Sequence, residues 1–213
     1  MRTNEAPLDR LVKITPMALA AELGIPPRAT GIVVMPCSAP SSSSHPGIRK
    51  IAAGLQDRGF ATVQTELLTD MEIAHGYHTF DIGLLAERIR AITDWVREEA
   101  GLADLPVGYF GTGADAGAVL AAAAEQECPV SALVLCFARP DLAHDALPLV
   151  RAPTLFITSD DEFELQLHRD ALARCHCHRV IETIEGTSTH LYAPETAQHQ
   201  IHFAGDWFTT HLR

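Results

Sequence analysis

The sequence predicts an α/β protein with a doubly wound, mostly parallel sheet and helices on both faces. Three observations predict it. Short continuous apolar runs rich in β-formers recur along the chain, as in Gly31-Ile32-Val33-Val34-Met35-Pro36 and Thr154-Leu155-Phe156-Ile157-Thr158. Amphipathic helical segments stand between them. Strands alternating with helices at this spacing call for βαβ units, and so for a parallel sheet.

In chain order, residues 9–26 read as two short edge strands, Asp9 to Thr15 and Ala18 to Ile25. The first buried strand is Gly31 to Pro36. It opens into Cys37-Ser38-Ala39-Pro40 and Ser41 to Pro46, too rich in Ser and Pro for regular structure. A helix from about Gly47 to Arg58 carries Ile48, Ile51, Ala52 and Leu55 on one face, and Gly59 ends it. The next strand is Phe60 to Leu67, followed by a polar loop from Thr69 to His78. A long helix from Phe80 to Glu99 repeats Ile82, Leu85, Ile89, Ile92 and Val96 at helical spacing.

Further strands are predicted from Val107 to Phe110, Ala132 to Phe137, Thr154 to Thr158 and Arg179 to Ile184. An Ala-rich helix to Gln126 follows the first of these. A helix from Glu162 to Arg174 precedes the last strand, and one from Ala193 to His211 closes the chain. There are no internal repeats and no linker, and 213 residues fit a single domain over 1–213.

Composition limits the function classes. A chain 47% hydrophobic and 20% charged can bury a proper core. A formal net charge of −11 argues against a nucleic-acid surface, which needs clustered Lys and Arg. No apolar run reaches the roughly 18 residues of a membrane span, and Met1 to Glu5 lead into no apolar signal region. Five cysteines, an odd number, favour thiols in a reducing cytoplasm. Cys175-His176-Cys177-His178 has no second ligand pair at zinc-finger spacing. It reads as a helix end entering a strand, and neither a metal nor a cofactor is expected.

The most informative stretch is Gly108-Tyr109-Phe110-Gly111-Thr112-Gly113-Ala114-Asp115-Ala116-Gly117. Strand, sharp glycine turn and buried helix make the geometry of a nucleophile elbow, which lifts a reactive side chain above a parallel sheet. Two frames compete. Starting at Gly111, the tip is Gly113, without a side chain. Starting at Gly113, the tip is Asp115, which needs the strand to run on through Thr112. Otherwise Asp115 lies in the first turn of the helix, where its charge suits the dipole. Ligands on such sheets bind at the carboxyl ends of the strands. There the Cys37–Pro46 loop, the Gly111–Gly117 turn, Asp160-Asp161 and His190 should converge.

That order of elbow, acid and histidine resembles the α/β-hydrolase superfamily, and more closely its small dienelactone-hydrolase-like proteins. The echoes are Leu105-Pro106-Val107-Gly108-Tyr109-Phe110-Gly111, Arg139-Pro140-Asp141-Leu142-Ala143, Arg151-Ala152-Pro153-Thr154-Leu155 and Thr189-His190-Leu191. The resemblance implies an acid at Asp161 and a base at His190. In the gap-free match the position of the family's Ser or Cys nucleophile is Gly113, and that of its second elbow glycine is Asp115. The oxyanion loop, often His-Gly-rich in relatives, reads Cys37-Ser38-Ala39-Pro40. Ser38, Ala39, Gly113 and Ala114 are the expected binding residues.

Each candidate has a plainer reading beside it. Asp161 suits the N-cap of the helix from Glu162, and His190 suits a solvated loop. Asp115 could serve as a carboxylate nucleophile, as in dehalogenases and epoxide hydrolases that resemble this fold. Cys37, just past the first central strand, could become a thiolate facing His190, or fill a strand end as a small apolar residue. The expected function is a cytoplasmic enzyme acting on a small carbonyl, ester or lactone-type molecule. It would use the His190–Asp161 pair without a serine acyl-enzyme. The alternative is a degenerate elbow in a pseudo-hydrolase that binds a ligand or partner. No nucleic-acid or membrane partner is expected, and a homodimer is left open.

Overall fold

The computed structural model describes residues 8–38, 45–75, 80–99, 101–127, 130–185 and 193–212. In chain order its elements are β1 (Leu8–Ile14), β2 (Leu19–Ile25), β3 (Gly31–Cys37), α1 (Pro46–Asp57), β4 (Phe60–Glu66), α2 (Asp70–His75) and α3 (Ile82–Glu98). Then come β5 (Val107–Thr112), α4 (Asp115–Ala124), β6 (Val130–Cys136), β7 (Thr154–Ser159), α5 (Glu162–Arg174), β8 (Arg179–Ile184) and α6 (Pro194–His211). The eight strands form one sheet in the order β1-β2-β4-β3-β5-β6-β7-β8. β1 with β2 and β2 with β4 pair antiparallel, and every other pairing is parallel.

The period-two alternation of the strands divides the core into two layers. Ile32, Val34, Tyr109, Leu133, Leu135 and Phe156 face α3, α4 and α5. Their chain neighbours Val33, Met35, Phe110, Val134, Leu155 and Ile157 face α1 and α6. Right-handed crossovers account for the sorting. From β3 the chain steps one way to β4 through α1, then reverses through α3, α4 and α5 and covers the opposite face. Helical periodicity gives α3 its buried stripe of Leu85, Ile89, Ile92 and Val96, with Asp81 accepting from the Leu84 N–H at 3.1 Å to cap its start. Each such fully buried side chain contributes about 1.5–3 kcal/mol.

Two expectations need correcting. β2 is not an edge strand, because it pairs with β1 on one side and β4 on the other. The stretch expected as a polar loop from Thr69 contains α2. Its start is a capping box: Glu72 Oε2 accepts from the Thr69 N–H at 2.9 Å, and Thr69 Oγ1 accepts from the Glu72 N–H at 3.4 Å. Between β6 and β7 the chain also makes two single 3-10 turns, Pro140–Ala143 and Leu147–Leu149. No helix among the described residues is long and apolar enough to cross a membrane.

Candidate active site at the sheet's switch point

The reversal of chain direction leaves β3 and β5 adjacent, with the helices that follow them, α1 and α4, on opposite faces of the sheet. Such a crevice is where ligands bind on open parallel sheets. Among the described residues, it is bordered by Ser38, just past β3, and by the turn from β5 into α4.

That turn is tight. A Cβ on Gly111 would lie 3.0 Å from both Ala116 Cα and Val119 Cγ2, so only glycine lets strand and helix approach this closely. Gly113 has φ +52°. Its N–H donates to the Cys136 carbonyl at 3.2 Å, and its own carbonyl accepts from the Arg139 N–H at 2.9 Å. Among the described residues, nothing lies within 4 Å of where its Cβ would be. Ala114 is already helical, at φ −69° and ψ −32°, and Asp115 opens α4. β5 does run through Thr112, yet the left-handed residue at the apex is Gly113 and Asp115 takes the first turn of the helix.

Asp115 is only 6% exposed and is joined to Ser38 across the crevice. The Ser38 N–H donates to both carboxylate oxygens at 3.2 Å. The Ser38 hydroxyl donates to Oδ1 through a short contact. Burial pushes the Asp115 carboxyl above the usual carboxylate range, and the hydrogen bonds from Ser38 only partly offset it. Ser38 is itself 4% exposed. Sequence reasoning treated the two as separate candidates, and only the parallel pairing of β3 with β5 shows that they meet.

Asp161 lies elsewhere on the same rim. It follows β7, two strands along from β5, or roughly 10 Å at the usual strand spacing. Its Oδ1 accepts from the N–H groups of Phe163 and Glu164, at 3.0 and 3.1 Å, so the exposed carboxylate caps α5. Beside it the Ser159 hydroxyl donates to Glu164 Oε2 at 2.6 Å. Glu164 therefore brings a second carboxylate to the end of β7, and nothing in the sequence singled it out. Cys37 ends β3, 4% exposed, its carbonyl accepting from the Leu67 N–H at 2.7 Å. His190, Ala39 and the serines from Ser41 to Ser44 lie outside the described residues.

Other histidines and cysteines have local places. His45 caps α1, its Nδ1 accepting from the Gly47 N–H at 3.1 Å, and His75 closes α2. Cys175 is the C-cap of α5, and Cys177 lies just before β8. Among the described residues, no group of three or more His, Cys, Asp or Glu side chains could hold a metal ion.

The architecture has close counterparts. The crystal structure of a dienelactone hydrolase from Anabaena variabilis superposes with a TM-score of 0.91 at 36% identity, over 98% of this chain and 100% of that one. This chain belongs to the dienelactone-hydrolase-like family of the α/β-hydrolase fold. A dienelactone-hydrolase-like promiscuous phosphotriesterase from metagenomic libraries shares this family's fold at 16% identity and a TM-score of 0.76, over 98% and 100% of the two chains. Two proteins from strains of Mycobacterium tuberculosis, each described as a putative phosphoribosyl transferase, are 39% identical over 199 residues. That match takes in 92% of this dienelactone-hydrolase-like chain but 45% of theirs, so the chain spans about half the length of those relatives. No family model matches the chain.

Proposed function

We propose that the protein is a hydrolase-type enzyme for a small carbonyl, ester or lactone-type molecule that works without a serine or cysteine acyl-enzyme. The observation that carries this reading is Gly113: the turn keeps the positive φ of an elbow apex, and no side chain stands at its tip. In this reading Gly113 occupies the position at which dienelactone-hydrolase-like proteins carry their nucleophile. The attacking group is then water, or the chemistry is a proton transfer, elimination or cyclisation. His190 moves the proton and Asp161 orients it, as in a triad that lacks its first member. Asp115 supplies a buried carboxyl, raised above its ordinary range by burial, at the floor of the crevice. Its engagement by Ser38 argues against its use as a nucleophile. The transferase description belongs to chains about twice this length, and hydrolase chemistry is what a domain of this family brings to the reading.

The test is turnover of a panel of esters, lactones and β-hydroxycarbonyls by the wild type and by His190→Ala. Activity that survives the substitution unchanged would overturn the mechanism. A second reading, a pseudo-hydrolase that binds a ligand or partner, draws on Ser38. A hydrolase uses an amide N–H from the loop after this strand to hold an oxyanion, and here the Ser38 N–H and hydroxyl both point to Asp115. Tight binding of a panel compound with no turnover would favour that reading.

A further inference from the structure

The segment Cys175-His176-Cys177-His178 has a use that neither metal binding nor the crevice absorbs. α5 ends at Arg174, and the Cys175 N–H donates to the carbonyls of Ala171 and Leu172, both at 3.2 Å. The chain leaves the helix there, and Cys177 follows two residues on, before β8. The two thiols belong to one buried cluster. Cys175 is 1% exposed and Cys177 8%. Cys177 lines an open groove of about 530 Å³ with Arg169, Leu172, Arg179 and Ile181. Cys136, by contrast, is 0% exposed in the centre of the sheet.

We propose that Cys177 and Cys175 form a peroxide-sensitive dithiol, with Cys177 the attacking sulfur and Cys175 the resolving one. The groove admits a small hydroperoxide to Cys177. Its thiolate attacks the terminal peroxide oxygen, the O–O bond breaks, and the displaced alkoxide or hydroxide takes a proton to leave as alcohol or water. Cys177 is now a sulfenic acid. The Cys175 sulfur attacks it, the S–S bond forms, and hydroxide leaves with the Cys175 proton as water. Two thiols have lost two electrons, and the hydroperoxide has gained them.

The surroundings favour this division of roles. The hydrogen bond from Cys175 holds the Cys177 thiol below its usual range, burial opposes this, and the Arg179 charge adds to it. Thr154 contributes less to a thiolate in the observed arrangement, because its one hydroxyl proton goes to the Ala152 carbonyl at 3.0 Å. The Cys177 thiol therefore donates to Thr154 Oγ1, at 3.7 Å. The Cys175 thiol is pushed up by the same shared hydrogen bond and by burial, and so keeps its proton until the sulfenic acid forms. Two Cα steps span at most ~7.6 Å, and a disulfide needs ~4.4–6.8 Å. The bridge is therefore reachable by a local turn, and its small ring keeps it reducible.

The experiment treats the full chain with hydrogen peroxide, blocks remaining thiols and weighs the peptides. The expected result is that the peptide holding Cys175 and Cys177 loses two hydrogens in mass, reversibly with dithiothreitol. That loss should form about tenfold faster in the folded chain than in urea. In Cys175→Ser, dimedone should label Cys177. Oxidation of this peptide no faster in the fold than in urea, or dimedone landing on Cys136 instead, would overturn the proposal. If Cys175→Ser fails to fold, the wild-type comparison decides alone.

Discussion

Ser38 and Asp115 lie 77 residues apart in sequence and are joined side chain to side chain, and main chain to side chain, across the seam between β3 and β5. Because the Asp115 carboxyl is raised by burial, the native state keeps its proton to higher pH than the unfolded chain does. The group's contribution to stability is therefore full below its ordinary value of 3.8 and falls as pH rises through the raised one. Asp115→Asn should abolish that fall, read as urea midpoints across the acidic and neutral range. Ser38→Ala should cost about 1–3 kcal/mol by leaving a buried acceptor under-satisfied. Parallel midpoint curves for wild type and Asp115→Asn would show that the carboxyl is not titrating as described.

Gly113→Ser tests the elbow. With no atom of the described residues within 4 Å of the new Cβ, the expected destabilisation is the conformational one, about 1–2 kcal/mol for an L residue at positive φ. A gain of esterase activity with a burst phase would mean that the base and oxyanion donors stand ready. Folded protein without that gain would count for the ligand-binding reading.

The Arg88 guanidinium grips Glu72 at 2.6 and 2.8 Å and holds its carboxyl down to about 2 from an ordinary 4.5. The stability this supplies is present above 4.5 and is lost as pH falls through that value toward about 2. Glu72→Gln should flatten this acid limb and cost about 1–2 kcal/mol at neutral pH. That is less than the full shift implies, because a quarter of the Glu72 side chain is solvated. Thermal melts at acid and neutral pH would show it.

Much of the fold was legible in the sequence because local and global signals agree. The bounds predicted for α5 and β8 match those observed, since Asp161 marks the start of α5 and β-formers fill β8. α2 was missed because its capping box, Thr69 to Glu72, opens only a six-residue helix, too short for a repeating apolar stripe and with no fully buried residue. That Asp115 meets Ser38 follows from strand order, and no spacing within either segment encodes it. The elbow was visible as glycines, but which glycine takes the left-handed conformation is a property of the folded turn.

His168 offers a check inside α5. Its Nδ1–H donates to the Glu164 carbonyl at 2.7 Å, its ring packs edge-on against Phe156, and its Nε2 is buried with no partner among the described residues. Burial holds the imidazole below its ordinary 6.5. Its share of stability is present above 6.5 and is lost as pH falls from there through the lowered value. His168→Leu should remove that loss, measured by denaturant midpoints below neutrality. An unchanged slope would mean that water or another group reaches Nε2.

Gly113 also bears on ancestry. Its backbone already holds the conformation an elbow residue needs, and glycine codons differ from some serine and cysteine codons by a single base. Where that glycine is coded by GGU or GGC, a chain with this turn stands one point mutation from carrying a hydroxyl or thiol there, and the change can be crossed in either direction.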